Sequence, residues 1–339
     1  MMVSLRYYDL HQRLLLVEGE DPHLFAALEA LTDGFFTVPL SLSANHALRL
    51  RGQTVAHAHA LPRPDESDYP LSFAGTPEDG VPMRLLVRPP HEFLWLQQDV
   101  AVTLCNLKTL RAEAVVVQGR WSSWGFQTLI PLLAEWLGSQ DMFLLHTGAN
   151  LLPDKRTCIL FFGASGTGKT TTVLSLACHG WPLLCDDAGF LTLQHDGPFL
   201  WGVPRASKVH TRTFNLLPSL RQIPRQPIPF SEEWQVRFRD LPHVSPRQRI
   251  PIGGVFLLQP RNNEEHHIRS LAAATLLPDL IKGNMRVTNP AATGNAGRMF
   301  QALGGLCKTT PCYSLSVGPD LTTLPATILA LPALEKQAC

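Results

Sequence analysis

The chain has 339 residues, 45% of them hydrophobic and 17% charged, a composition in the ordinary globular range that excludes a predominantly disordered polymer. Its 29 lysines and arginines against 28 aspartates and glutamates leave a net charge of +1. No global field therefore recruits nucleic acid or an anionic membrane, and any phosphate affinity must be local. The length predicts two domains, or one large domain carrying a cap, with enough core to fold without disulfide or metal staples.

The seven cysteines form no CxxC pair and their odd number suits a closed disulfide framework poorly, which predicts reduced thiols. The opening MMVSLRYYDLHQRLLLVEGED has no A-x-A-like cleavage site, and no stretch approaches 18 uninterrupted apolar residues. The expectation is a soluble, cytoplasmic protein without membrane contact.

Residues 1–120 alternate short apolar runs (14–17, 35–40, 84–87, 93–96, 114–117) with turn-rich stretches such as 61–68 and 74–82, which predicts a β-rich N-terminal domain. His57 and His59 would share one face of a strand. Two imidazoles without a third ligand at a sensible spacing read as a solvated edge rather than a metal site. From residue 121 the pattern changes: Phe126, Leu129, Ile130, Leu132, Leu133, Trp136 and Leu137 fall at helical spacing before Gly138. Strands are predicted over 142–146, 158–162 and 181–186, with a turn over 147–156 between the first two. A hairpin is predicted from 190–193 and 199–201 around the Asp196-Gly197 turn signal. Residues 221–230 and 241–251 read as surface connections, followed by a strand over 255–258, helices near 271–281 and 296–303, a strand over 312–317 and a helix from 320 to about 331. Strands and helices interleave, so residues 121–339 read as an α/β domain with a mixed sheet.

Residues 163–170 spell Gly-Ala-Ser-Gly-Thr-Gly-Lys-Thr, matching G-x-x-x-x-G-K-[ST] between a buried strand and a helix. Such a loop wraps backbone amides around phosphate oxygens. Gly163, Gly166 and Gly168 permit the dihedrals and the close approach, while the following helix aims unpaired amides and its positive dipole end at the anion. The residues assigned to phosphate binding are Gly163, Ala164, Ser165, Gly166, Thr167, Gly168, Lys169, Thr170 and Thr171. Lys169 would reach the β/γ-phosphates of a bound nucleotide, and the Thr170 hydroxyl would coordinate Mg²⁺. Seventeen and eighteen residues after Lys169, Asp186 and Asp187 close an apolar run. A strand beside the loop strand would deliver both to the same crevice, where one carboxylate serves the metal and the other accepts a proton from an attacking hydroxyl.

The segment GASGTGKTTTVLSLACHGWPLLCDD, preceded by FLLHTGANLL, resembles the catalytic core of the HPr kinase/phosphorylase family. The resemblance implies a phosphoenolpyruvate-carboxykinase-like fold and ATP- and Mg²⁺-dependent transfer to a hydroxyl, a serine of a protein or peptide, by a self-associating enzyme. It implies that Asp187 is the base, Asp186 the metal or water ligand, and His146 the residue that orients or tunes the base. It is specific over about 140–195 and loose through about 331. The glutamate-arginine-glycine segment that HPr kinases carry further on is missing. Residues 199–210 read FLWGVPRASKVH instead, which puts HPr as substrate and the reverse phosphorolysis in doubt. Arg205 and Lys208, three apart after Pro204, would share a face on a helical turn and meet phosphate, or be ordinary surface charges. A small-molecule kinase and a nucleotide-gated module without turnover use the same loop and stay open as alternatives.

His179 is expected to cap the loop helix. Arg261 and the His266-His267 pair read as a hairpin tip, and Asp154, Lys155 and Arg156 as a solvated turn. Arg286 and Arg298 are weaker candidates to approach the nucleotide.

Overall fold

A computed structural model describes residues 3–39, 47–76, 81–89, 91–154, 156–228, 231–261, 264–284 and 295–334. The chain divides into two compact units, Met1–Asp141 with Met285–Met299, and Met142–Asn284 with Phe300–Cys339. The division expected at residue 120 falls inside the first unit. The reason is that the helical segment beginning at Trp121 belongs to the first unit's core: Trp121 and Trp124 are buried there and meet edge to face at 5.0 Å.

The first unit is β-rich. Strands β1 (Ser4–Asp9), β2 (Leu14–Gly19), β3 (Thr37–Val38), β4 (Leu48–Val55), β5 (Leu71–Gly75), β6 (Met83–Arg88), β7 (Glu92–Gln97), β8 (Ala101–Asn106) and β9 (Arg111–Val117) form one sheet in the order β3-β1-β2-β4-β9-β8-β7-β6-β5. Alternation in β4 and β9 buries Leu48 and Leu50, and Ala112, Ala114 and Val116, leaving the intervening residues outward. Helix α1 (Pro22–Thr32) has no counterpart in the expectations above, although Asp21-Pro22 is a readable start signal. The Asp21 carboxylate accepts from the His23 amide at 2.9 Å, and Pro22 sits in the first turn.

The predicted helix near 126–137 is present in three pieces, α2 (Trp121–Trp124), a π-helical turn over Gly125–Leu129, and α3 (Ile130–Gly138). Pro131 lacks the N–H that would donate to the carbonyl of residue 127, so the ladder opens just before it. The extra residue shifts the helix's phase. Phe126, expected on the apolar face, is exposed, while Gln127 and Thr128 turn inward and bond to Gln97 at 2.7 and 2.9 Å. His57 precedes and His59 lies within a short 3-10 turn, Ala58–Ala60, with their rings stacked at 5.4 Å. Among the described residues no group of three or more His, Cys, Asp or Glu could hold a metal ion.

The second unit contains β10 (Phe143–Leu145), β11 (Gly148–Leu151), β12 (Cys158–Phe162), α4 (Lys169–Cys178), β13 (Leu183–Cys185), β14 (Gly189–Gln194), β15 (Gly197–Gly202), β16 (Ser207–His210), α5 (Thr213–Leu216), β17 (Arg225–Pro227), β18 (Glu233–Val236), β19 (Arg249–Gln259), β20 (His267–Ser270), α6 (Ala273–Asn284), α7 (Asn295–Thr309), β21 (Cys312–Ser316) and α8 (Leu324–Leu329). The main sheet runs β10-β14-β15-β19-β12-β11-β13, with β21 beside β19 and β20 beside β21; β16, β18 and β17 make a small second sheet. The fold is thus mixed α/β. Strands β12, β19 and β21 are mutually parallel, and Phe161, Phe256 and Tyr313 stack across them at 5.5 and 5.1 Å.

Three sequence expectations need correction here. The turn over 147–156 contains a fully buried strand, β11, inserted between β12 and β13. Its misleading residue is Asn150, whose amide donates to the Val173 and Trp181 carbonyls at 3.0 and 3.1 Å and is therefore satisfied inside the core. The stretch 221–230 donates β17 to the small sheet, where Arg225 lies over Phe214 and Trp234. The connection 241–251 ends in β19, which is much longer than 255–258 because its two ends pair with different neighbours. The six described cysteines are free thiols, five of them buried; Cys339 lies outside the described residues. Among the described residues no helix is long and apolar enough to cross a membrane.

In the first unit, Asp21 also accepts from the Thr54 hydroxyl at 2.7 Å and the Trp121 indole at 3.0 Å, so one carboxylate joins α1, β4 and α2. Asp21→Ala should destabilise the first unit by about 1–2 kcal/mol, combining a lost cap with the lost bonds from Thr54 and Trp121. Chemical denaturation should show the loss, with Asp21→Asn intermediate.

Candidate active site

The loop 163–170 connects β12 to α4. A Cβ on Gly163 would stand 2.6 Å from the Thr167 hydroxyl, and Gly166 has φ 81°, so one glycine is required by space and the other by conformation. The loop is braced from within: Thr167 Oγ1 donates to the Ala164 carbonyl at 2.8 Å, and Lys169 Nζ donates to the Gly163 carbonyl at 2.8 Å. Burial lowers the Lys169 pKa against the opposing pull of Asp187 and Asp186. The ammonium is thereby partly stripped of water and held by a single carbonyl, which an anion can replace. The Ser165 backbone lies in the same exposed turn, and Thr171 reaches across to the Thr213 hydroxyl at 3.3 Å.

Asp186 and Asp187 follow β13. The sequence reading expects that strand beside β12, but β11 intervenes; both flank β11 antiparallel, so β12 and β13 still end on the same side. The Thr170 hydroxyl accordingly donates to Asp186 Oδ1 at 3.1 Å. Asp186 is 2% exposed. Burial and the neighbouring Asp187 charge raise its pKa to about 6, more than Ser207, Thr170 and Lys169 lower it.

Asp187 is different. Its backbone sits at φ 96°, in the region that glycine, asparagine and aspartate tolerate best. Its side chain is 41% exposed and bridged on both oxygens, with His146 Nδ1 2.9 Å from Oδ1 and Arg205 Nη1 donating to Oδ2 at 2.9 Å. Desolvation of the site would raise its pKa, but the His146 hydrogen bond and the Arg205 and Lys169 charges outweigh it and hold the carboxyl below its usual range. The paired acids therefore have divergent environments, one buried and reluctant to ionise, the other ionised and accessible.

His146 is placed by a residue that the sequence reading missed. Its amide donates to Asn284 Oδ1 at 2.6 Å, and Asn284, buried at the end of α6, donates to the Leu280 carbonyl at 2.8 Å. Nothing near Asn284 in sequence signals this, since the partners lie 138 residues apart. The segment around Arg205 and Lys208 is not helical. Residues 207–210 pair with β18, so Arg205 turns to Asp187 while Lys208 lies on the exposed face of β16. His179 caps α4, its Nδ1 2.7 Å from the Ser175 carbonyl. Arg298 engages Asp141 at 2.9 Å; Lys155 and Arg286 lie outside the described residues.

The oxygen set at Thr170 and Asp186 suits a hard divalent cation. Mg²⁺ takes one or two carboxylates together with phosphates and waters rather than a full protein cage. A cation there would also relieve the cost of ionising Asp186.

No family model matches the chain, and no curated protein matches it. Among solved structures it is similar to an HPr(Ser) kinase/phosphatase from Coxiella burnetii, with 14% identity, 57% of this chain and 90% of that chain covered, and a TM-score of 0.28. A likeness this weak carries no argument about chemistry, which must come from the residues themselves.

Because Asp186 has a folded-state pKa near 6 against an ordinary value of 3.8, the metal-free folded protein binds more protons than the unfolded chain between those pH values. Its stability should fall as pH rises through that window. Asp186→Asn removes this titration, so in chelator the variant should melt several degrees above the parent at pH 7.5, and the gap should close towards pH 4 in paired thermal scans.

Proposed function

We propose that the protein is an ATP- and Mg²⁺-dependent kinase with a phosphoenolpyruvate-carboxykinase-like core, transferring the γ-phosphoryl group to a hydroxyl, a serine of a protein or peptide. The observation that carries this reading is the convergence of the loop and the paired acids: Thr170 bonded to Asp186 at 3.1 Å, and Asp187 beside it bridged by His146 and Arg205 at 2.9 Å each.

In this reading the loop amides and Lys169 bind and orient the β- and γ-phosphates. Thr170 and Asp186 hold Mg²⁺, which when bound neutralises charge on the phosphate oxygens. Asp187 takes the proton from the acceptor hydroxyl. Its partial exposure lets an acceptor reach it, whereas Asp186 is enclosed. His146, fixed by Asn284, holds one Asp187 oxygen in place. Phosphoryl transfer needs in-line positioning and neutralised oxygens more than covalent help, and these groups supply both.

The first unit serves either assembly or acceptor recognition. What supports the latter is an open groove of about 870 Å³ lined by the proline-flanked strap Leu61, Pro62, Arg63 and Pro64 and by Arg84 and Asp99, a shape and polarity suited to an extended peptide.

Incubation with γ-labelled ATP and candidate acceptors tests the reading. Label on a polypeptide is expected. Label only on a metabolite would move the acceptor to the small-molecule class, and no label would leave a nucleotide-gated module. Lys169→Ala should cut transfer by about 10²-fold or more. Asp187→Asn should lower turnover by about 10²–10⁴-fold with ATP affinity changed only a few-fold, measured by single-turnover kinetics beside equilibrium binding.

A further inference from the structure

We propose that Arg261 and Arg212 form a second anion clamp, engaging the polyphosphate tail of a nucleoside triphosphate seated on loop 163–170; this rests on the nucleotide reading above. Neither arginine belongs to the phosphate-loop motif. Arg261 lies two residues beyond β19, the parallel neighbour of β12, so it emerges on the same side of the sheet as the loop.

Its stem packs against the loop itself. A Cβ on Gly168 would stand 3.8 Å from Arg261 Cδ and 4.0 Å from its Cγ. The guanidinium donates through Nη2 to the Gly318 carbonyl at 3.0 Å. Gly318 is in turn anchored, its amide donating to His266 Nδ1 at 2.9 Å while His266 Nε2 donates to the Asp320 carbonyl at 2.8 Å. The loops following β19 and β21 are thereby tied together, and Arg261 is held over the entrance to α4 by a carbonyl that uses one of its five N–H donors.

Arg212 arrives from another part of the chain. It precedes α5, whose first residue, Thr213, meets Thr171 in the first turn of α4 at 3.3 Å. The Thr213–Thr171 contact brings the start of α5 to the loop helix, and the Arg212 charge adds to burial, the larger cause, in lowering the Arg261 pKa. Among the described residues neither has a carboxylate partner. A polyanion between these two like charges would offset their repulsion and accept their remaining donors.

Calorimetric titration of ATP and ADP, each with Mg²⁺, into the full chain and its Arg261→Gln and Arg212→Gln variants tests the clamp. Each variant should weaken ATP about tenfold or more and ADP clearly less, so the ATP/ADP affinity ratio falls. Arg261→Lys, which keeps the stem and charge, should recover part of the ratio. If Arg261 only tethers Gly318, the losses will be equal for both nucleotides; that result, or no loss at all, overturns the proposal. Arg212 is exposed, so its variant reads out binding even if Arg261→Gln perturbs the fold. Lys169→Ala separates the two levels. If it weakens ATP while both arginine variants behave as the parent, only the clamp fails; if the unaltered protein binds neither nucleotide, the loop reading fails and the clamp with it.

Discussion

Two adjacent carboxylates at the end of a buried strand are the constraint around which the second unit is organised. Ionising Asp186 inside the protein is costly, and ionising it beside an already charged Asp187 costs more. Each neighbouring group answers that cost. Thr170 offers a hydroxyl to one acid, His146 and Arg205 occupy both oxygens of the other, and Lys169 spreads its charge towards both. The strand order serves the same arrangement, since β11 separates β12 from β13 while leaving their ends on one side.

The supports of this arrangement come from far along the chain. Asn284 fixes the backbone of His146 from the end of α6, and Ser207 lies close to Asp186 without a short hydrogen bond of its own. Thr171 touches Thr213 at the start of α5. A site assembled from the end of one strand, one helix start and several distant loops gains precision from the sheet, because strand ends in a packed core move little.

The loop was legible because its requirements are local: glycine where a side chain would collide with Thr167, and lysine and threonine at the opening of a helix. The acids were legible by their place after an apolar run. What escaped reading had a signal that only tertiary context interprets. Asn150 looks like a turn residue until its amide is seen bonded inside the core, and Phe126 looks buried until Pro131 forces the π-helical turn. Helix α1 was hidden among strand-like runs despite the Asp21-Pro22 start. Arg261, read as a hairpin tip, packs instead on Gly168, because the parallel strands β12 and β19 carry their following segments to one edge.

The φ of 96° at Asp187 bears on how such a protein can change over evolutionary time. Asparagine and glycine adopt that backbone most readily, and both arise from aspartate by a single nucleotide substitution. In the proposed mechanism, the residues that fit this backbone without effort are thus ones that could not accept the proton. The proposed base thus stands one nucleotide change away from residues that would leave its backbone undisturbed and its chemistry silent.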